Sequence, residues 1–184
     1  HSLHHIVNLE GLFAEIHSML HVDGCFLTYD VGGRNGHMRY PETLEIVEKL
    51  WKFLPNDKHF NKLLKQTFDD YYNHDCSNEG FEGIRAQDIL PLLRNTFNFE
   101  IFHGWGGLTE VFVGRGYGDN FDVKKREDRE FINFVDFLNE LLIDLGHIKP
   151  TIFVAKLAKK SVECKIYKTR TVDFLIRDSG HDIF

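Results

Sequence analysis

Three histidines stand close together at the start of the chain: His1, His4 and His5. Imidazoles bind metal ions and carry protons near neutral pH, so their spacing decides which chemistry is open to them. Neighbouring side chains do not converge on a helix, and no carboxylate stands at ligand spacing beside these three. We therefore expect no metal site here. A purely structural interpretation is a pair at a strand end, with one side chain packed and the other exposed.

A carboxylate, Asp30, ends a short apolar run and precedes the pair Gly32-Gly33. In open α/β sheets, ligands bind beyond the carboxyl ends of the strands, so Asp30 could orient a ligand or pair with Arg34. It could equally cap the loop by accepting hydrogen bonds from backbone N–H groups. Three more side chains of this loop are candidates for contacting the same ligand: Arg34, Asn35 and His37.

Charge and composition exclude several classes of function. The chain has 184 residues, and 22 Lys and Arg against 28 Asp and Glu give a net charge of −6. Non-specific nucleic-acid binding depends on Lys and Arg neutralising phosphates, and a mildly acidic chain is poorly suited to it. No apolar run approaches the roughly 20 residues needed to span a bilayer. Three cysteines without a CxxC pair indicate neither a disulfide framework nor a zinc ribbon, and we expect a cytoplasmic protein.

Hydrophobic periodicity predicts helices that alternate with strands. Asn8 is a predicted N-cap for a helix to about Leu20, and Asp88 for a helix to about Phe97. Further helices are predicted over 41–53, 59–72 and 127–145. Strands are predicted over 25–31, which we expect to be buried on both faces, and over 99–103, 151–157, 162–167 and 172–176. This alternation indicates an α/β layer fold.

Several segments, read in order, resemble class I S-adenosylmethionine-dependent methyltransferases. LHHIVNLEGLF at 3–13 and LHVDGCF at 20–26 resemble the stretch that links the fourth strand, the next helix and the fifth strand. The turn here is Val-Asp-Gly, where the family usually has Pro-Gly-Gly. Three later segments match in turn: DVGGRN at 30–35 the loop after strand five, GIRAQDILPLL at 83–93 the helix before strand six, and TIFVAK at 151–156 the last, antiparallel strand.

The resemblance implies the C-terminal part of a Rossmann-like methyltransferase sheet with flanking helices. The methyltransferase-like part covers 1–158, residues 55–85 form an insertion or acceptor lid, and 159–184 form a tail that could add strands. The family's strands one to four and its glycine-rich cofactor signature precede the His-His segment. Most of the S-adenosylmethionine site is therefore expected upstream of residue 1, with Leu3 and His4 as the contacts that remain.

Roles for individual side chains also follow from the resemblance. Residues just after strand four face the methyl acceptor, so His4 or His5 is a candidate base and Asp30 an orienting group. The candidate acceptor contacts are Arg34, Asn35, His37, Arg85 and Trp105. A plain N-cap role for Asp88 and a packing role for Trp105 are the structural alternatives.

The hydrophobic run EVFV followed by GRGYG, at 110–118, offers a second place for a cofactor signature. Glycines in such a turn would let the backbone approach a cofactor closely. The next segment is polar and charged, however, and no acidic residue ends a following strand. A loop or short helix is the better interpretation.

Two functions remain open at this point. The first is the acceptor-side portion of a methyltransferase that acts on a small molecule, in which this chain alone can be inactive. The second is a non-catalytic remnant of the same fold that acts as an interaction module, for example as a homodimer through an unpaired sheet edge.

Overall fold

A computed structural model of the chain describes residues 1–177, except for the side chain of Glu79. The α-helices, α1 to α6 in chain order, are Leu9–Met19, Pro41–Trp51, Ala86–Thr96, Thr109–Val113, Arg126–Asp144 and Val172–Leu175. The strands, β1 to β6, are Cys25–Val31, Phe60–Asn61, Gln66–Thr67, Asn98–Trp105, Ile152–Ala158 and Lys165–Ile166. Short 3₁₀ helices cover Leu3–His5, Asn35–His37, Asn56–Lys58, Cys76–Glu79 and Gly118–Asn120. The chain is thus a mixed α/β protein, as the sequence predicts.

The chain divides into two compact units. The first contains residues 1–38, 74–105 and the chain from 150 onward, and the second contains 39–73 and 106–149. The predicted insertion is shared between them, because 55–73 belong to the second unit and 74–85 to the first. The predicted tail belongs to the first unit as far as residue 177, and residues 178–184 lie outside the described residues.

The first unit is built on a sheet whose described strands follow the order β1-β5-β4-β6. β5 pairs antiparallel with both β1 and β4, so β1 and β4 run parallel to each other. The register places Asp30 opposite Phe153, and Phe153 opposite Gly104. The prediction of an antiparallel strand near 151–157 is therefore confirmed.

Within the first unit, the described helices pack on one face of this sheet. On that face, Phe102, Phe153 and Leu157 pack against α1, α3 and α6. Leu27 and Tyr29 of β1 point to the opposite face, where 67% and 43% of their surface is exposed. The prediction that β1 is buried on both faces is wrong, because Leu27 and Tyr29 expose one face of this outer strand.

Helices α1 and α3 are joined at their first turns by an ion-pair network. Arg85 Nη1 and Nη2 each lie 2.7 Å from a carboxylate oxygen of Glu10, and Arg85 Nε lies 2.7 Å from Asp88. Helix α3 begins at Ala86, so Arg85 occupies the N-cap position and Asp88 lies in the first turn. The predicted N-cap role of Asp88 is wrong because its carboxylate is directed to the Arg85 guanidinium.

The Arg85 network changes the pKa of Glu10, which a titration can measure. Its hydrogen bonds are the main cause that lowers the pKa of the Glu10 carboxyl to about 2. We expect carboxyl-detected NMR to give this value in the native chain and to return a value near the ordinary ~4.3 in Arg85→Ala. The Glu45 carboxyl, whose pKa is lowered by its own hydrogen bond from Lys49, serves as an internal reference that the substitution should leave unchanged. An unchanged Glu10 titration in Arg85→Ala would contradict the bidentate pair.

In the second unit, a hairpin of β2 and β3 replaces the helix predicted over 59–72. The Asn61 side chain accepts hydrogen bonds from the N–H groups of Leu63 and Leu64, both at 3.0 Å. Lys65 then adopts a φ of +53°. Such a turn competes with helix formation, although the apolar residues have helical spacing. The predictions for α2 and α5 are confirmed to within two residues at each end.

The tail contains one of its two predicted strands. β6 pairs in parallel with β4, but residues predicted as the second strand form helix α6 instead. The Thr171 hydroxyl caps this helix by accepting a hydrogen bond from Phe174 N–H at 3.1 Å. The glycine-rich run after 110 follows helix α4 rather than a strand, as the better interpretation predicts. Among the described residues, no helix is both long and apolar enough to cross a membrane.

Candidate functional site

The carboxylate of Asp30 is fully buried near the carboxyl end of β1, where it accepts hydrogen bonds from the first residues of the chain. Its Oδ2 accepts hydrogen bonds from the N–H groups of Ser2 and Leu3, both at 2.8 Å. Its Oδ1 lies 2.9 Å from the N–H of Val31 and 2.5 Å from Nδ1 of His4. Asp30 thus accepts backbone hydrogen bonds, as the capping alternative predicts, and these contacts fix the Leu3–His5 turn on the strand.

These contacts keep Asp30 ionised. Burial acts to raise the pKa of its carboxyl, but the hydrogen bonds from His4, Leu3 and Val31 outweigh burial and lower the pKa. A carboxylate only accepts hydrogen bonds, so Nδ1 of His4 must carry the proton. The second ring nitrogen, Nε2, is then directed away from Asp30.

Nε2 of His4 faces a second carboxylate. It lies 3.5 Å from Oε1 of Glu82, and Nε2 of His37 lies 2.9 Å from the same oxygen. The ligand atoms of these three residues all lie within 4.8 Å of one another, and we call them the His–Glu cluster (His4, His37 and Glu82). His5 flanks the cluster, with Nδ1 at 3.5 Å from Oε2 of Glu82 and 44% of its side chain exposed.

The cluster forms because two turns lie directly against each other. Gly36 N–H donates to the Gly83 carbonyl at 2.9 Å. A Cβ on Gly83, whose φ is +68°, would lie only 3.1 Å from His37 Cε1, so this close approach needs glycine. Asn35 and Gln87 exchange hydrogen bonds between side chain and backbone at 3.2 and 3.1 Å. His37 is held there with a φ of +58°.

The electrostatics of the cluster favour an ionised Glu82. Burial tends to raise the pKa of this carboxyl, but the His37 hydrogen bond and the charges of His5, His37 and His4 more than offset it. The net effect is a pKa below the ordinary value. A negatively charged oxygen therefore lies between two imidazole nitrogens.

Three other predicted site residues make contacts within the fold of the first unit. The Leu3 side chain, predicted to contact the cofactor, lies in the hydrophobic core. Asn35 joins its loop to the start of α3, as described above. The charge of Arg34 acts on Asp75, whose pKa is lowered mainly by the hydrogen bond from the Ser77 hydroxyl.

Two further predicted acceptor contacts lie outside the cluster. Arg85 is held between Glu10 and Asp88. Trp105 lies on the open face of the sheet, with its ring stacked 5.7 Å from that of Tyr29. Tyr29 in turn stacks on His1 at 4.7 Å. The structure therefore brings His4, His5, Asp30 and His37 together and places Arg85 and Trp105 elsewhere.

Glu82 is the member of the site that sequence reasoning did not find. It lies in a polar loop, 45 residues from His37 along the chain, and no local spacing links it to the histidines. The available signal was the neighbouring Gly83, at the start of the GIRAQDILPLL segment. Its left-handed backbone marks a turn that approaches another part of the chain.

Comparisons of the chain with protein-family models, curated proteins and solved structures return no match. The chemical interpretation consequently depends on the geometry. Two imidazoles and one carboxylate share a small space, a third imidazole reaches solvent beside them, and a buried carboxylate fixes the ring of His4. This arrangement can accept and relay a proton, and it offers nitrogen and oxygen donors to a cation.

Proposed function

We propose that the chain forms the acceptor-side portion of an S-adenosylmethionine-dependent methyltransferase that acts on a small-molecule nucleophile. The observation that carries the proposal is the buried His4–Asp30 pair near the carboxyl end of β1. That end of a strand is where open α/β sheets bind ligands. The pair also joins the LHHIVNLEGLF and DVGGRN segments on which the resemblance depends. The antiparallel β5 supports the same assignment.

The residues present fit only a small part of a cofactor site. The Leu3 side chain is buried in the core and that of His4 is held by Asp30, so this turn offers S-adenosylmethionine mainly its backbone. The bound cofactor would supply the methyl group that is displaced in line from its sulfonium. The work of this chain is to position the acceptor and remove its proton.

His5 is the candidate base. Its side chain is 44% exposed, against 2% for His4 and 19% for His37, so an acceptor hydroxyl or amine can reach it. Glu82, 3.5 Å away, would stabilise the imidazolium that forms when His5 takes the proton. His4 and Asp30 are positioning residues in this scheme, because their side chains are buried and fix the turn that carries His5.

NMR titration with S-adenosylmethionine tests the proposal. We expect amide shifts at 3–5 and at 30, with a dissociation constant of roughly 1 mM because most contacts are absent. His5→Ala should bind equally well, since the base acts on the acceptor. Adenosine and methionine added separately are the matched ligands. Shifts confined to other regions, or none with S-adenosylmethionine, would overturn the proposal.

The second candidate function, a homodimer, is favoured by the outer position of β1. Among the described residues β1 pairs on one side only, and Leu27 and Tyr29 expose apolar surface beside its free edge. Two copies of such an edge can pair with each other antiparallel about a two-fold axis. The partner in this case is a second copy of the chain.

Substituting Leu27 tests the homodimer. We expect sedimentation velocity over a concentration series to show a dimer for the native chain and a monomer for Leu27→Lys, because a charge on the exposed face disrupts edge pairing. Met19→Lys, at an 82% exposed position on α1, should stay dimeric. A native chain that is monomeric throughout, or a Leu27→Lys dimer, would count against this function.

A further inference from the structure

The His–Glu cluster has the donor set of a transition-metal site. Two imidazole nitrogens and one carboxylate oxygen are the protein ligands of several catalytic zinc and iron centres. Metal–ligand bonds of about 2.0–2.2 Å place neighbouring ligand atoms roughly 3.0–3.5 Å apart. Glu82 Oε1 lies 3.5 Å from His4 Nε2 and 2.9 Å from His37 Nε2, which matches that spacing. Local sequence spacing predicts no metal here, but the fold brings distant ligands together.

The surroundings of His4 match those of a metal ligand. A metal-bound histidine usually donates its other ring N–H to a carboxylate, which fixes the tautomer and orients the ring. Asp30 takes this place at 2.5 Å from Nδ1, and three backbone N–H groups hold Asp30 in turn. When the His4 ring is neutral, Nε2 carries a lone pair and faces the carboxylate of Glu82. A cation between these two acceptors would bind both.

His37 reaches the cluster from a strained backbone. A φ of +58° is uncommon for a residue other than glycine and costs on the order of 1–3 kcal/mol. Such strain persists where the surroundings enforce it, and it is concentrated at functional sites. Here the backbone of His37 directs Nε2 to the oxygen that His4 also faces.

A second group of possible ligands, His1, His4 and Asp30, is less suitable. Asp30 already accepts three backbone hydrogen bonds and that of His4 Nδ1, so its lone pairs are engaged. Binding a metal through Asp30 would break the contacts that fix the first turn. The Glu82 carboxylate, 35% exposed, can accept a cation without such a loss.

We propose that Nε2 of His4, Nε2 of His37 and Oε1 of Glu82 bind a divalent transition-metal ion of the zinc class. The remaining coordination positions would face solvent beside His5, where water or an oxygen of a small molecule can bind. The metal takes the place of the proton between His37 Nε2 and Glu82 Oε1. The neutral His37 ring then carries its one proton on Nδ1, and a proton goes to solvent only from a doubly protonated ring. The site goes beyond the proposed methyl transfer and does not depend on it.

Titration of the metal-free chain with Zn²⁺ by calorimetry, and with Co²⁺ by visible absorption, tests the site. We expect one ion per chain with a dissociation constant of about 1 µM or below. His37→Ala and Glu82→Gln should each weaken binding by about 100-fold, because each removes a ligand. Circular dichroism of the metal-free variants verifies that they remain folded, and Glu82→Gln changes only a partly exposed side chain.

Two control variants test whether the metal binds at the proposed site. His1→Ala should retain binding, which separates the proposed site from the group that includes His1 and Asp30. His147→Ala removes an exposed histidine elsewhere and should also retain it. Absence of binding at millimolar Zn²⁺, binding that both ligand variants retain, or binding lost only in His1→Ala would each overturn the proposal.

Discussion

Asp30→Ala is expected to lower the free energy of unfolding by about 3–5 kcal/mol. The change removes a buried carboxylate that accepts hydrogen bonds from His4 and from three backbone N–H groups. The Leu3 and His4 donors would remain buried without their acceptor and those of Ser2 and Val31 partly buried, and unsatisfied buried donors are costly. Urea unfolding followed by far-UV circular dichroism measures the difference.

Asp30→Asn separates charge from shape. The Asn amide keeps one oxygen as an acceptor, but its NH₂ group would face the donors that bind the other carboxylate oxygen. We therefore expect a smaller loss of unfolding free energy, roughly 2 kcal/mol. Asp23→Ala is the matched control, since this exposed carboxylate pairs with Lys160 at 2.6 Å and should change stability by less than about 1 kcal/mol. An Asp30→Ala chain as stable as the Asp23→Ala chain would contradict the anchoring role.

The elements with strong local signals were predictable from the sequence. Asn8 accepts the hydrogen bond of Gly11 N–H at 3.0 Å and begins α1 where the capping rule places it. β1 has the predicted bounds because its apolar run is closed by glycines on both sides. Each of these signals acts over a few residues, and no other part of the chain is needed to interpret it.

The errors arose where a local competitor or a distant partner decides the structure. Asn61 turns a segment with helical periodicity into a hairpin by capturing two N–H groups. Thr171 starts a helix in a run of strand-forming residues, and Arg94 pairs with Asp173 in its first turn. The burial of β1 depends on which face of the sheet carries helices, and strand periodicity alone does not specify this.

The candidate site contains residues with local sequence signals and one residue whose position depends on distant contacts. Asp30 and the histidines were predictable as candidates, because a carboxylate at a strand end and clustered imidazoles are local features. The position of Glu82 depends on the contact between the turns of Gly36 and Gly83, which is set by the whole first unit. A metal site of this kind is not visible in local spacing, since its ligands come from three separate segments.

The second large effect is expected in the second unit, at the buried pair of Lys58 and Asp128. The two side chains are 8% and 10% exposed, and Lys58 Nζ lies 2.6 Å from Asp128 Oδ2. Lys58 Nζ also donates to the Asn120 carbonyl at 2.6 Å, and Asp122 N–H to Asp128 at 2.8 Å. Lys58→Met should cost about 3–5 kcal/mol, because it leaves the Asp128 charge buried without its partner.

Two comparisons test this pair. Lys62→Met removes an exposed lysine that pairs with Asp119 at 2.9 Å, and it should cost less than about 1 kcal/mol. The double substitution Lys58→Met with Asp128→Leu should be more stable than Lys58→Met alone, because no charge is then left buried. Equal stability of Lys58→Met and Lys62→Met in urea would contradict the prediction.

The Lys58–Asp128 pair also predicts a pH dependence with a definite sign. Burial raises the pKa of the Asp128 carboxyl, but the hydrogen bonds and charge of Lys58 lower it further than burial raises it, so the folded pKa lies below the ordinary ~3.9. A group with a depressed folded pKa stabilises the fold above its unfolded pKa, and this contribution is lost as the pH falls through the folded value. The stability difference between the native chain and Asp128→Asn should therefore be constant from pH 7 to about 5 and shrink below pH ~4. A difference that stays constant down to pH ~2 would mean that the carboxyl of Asp128 does not titrate differently in the folded and unfolded chains.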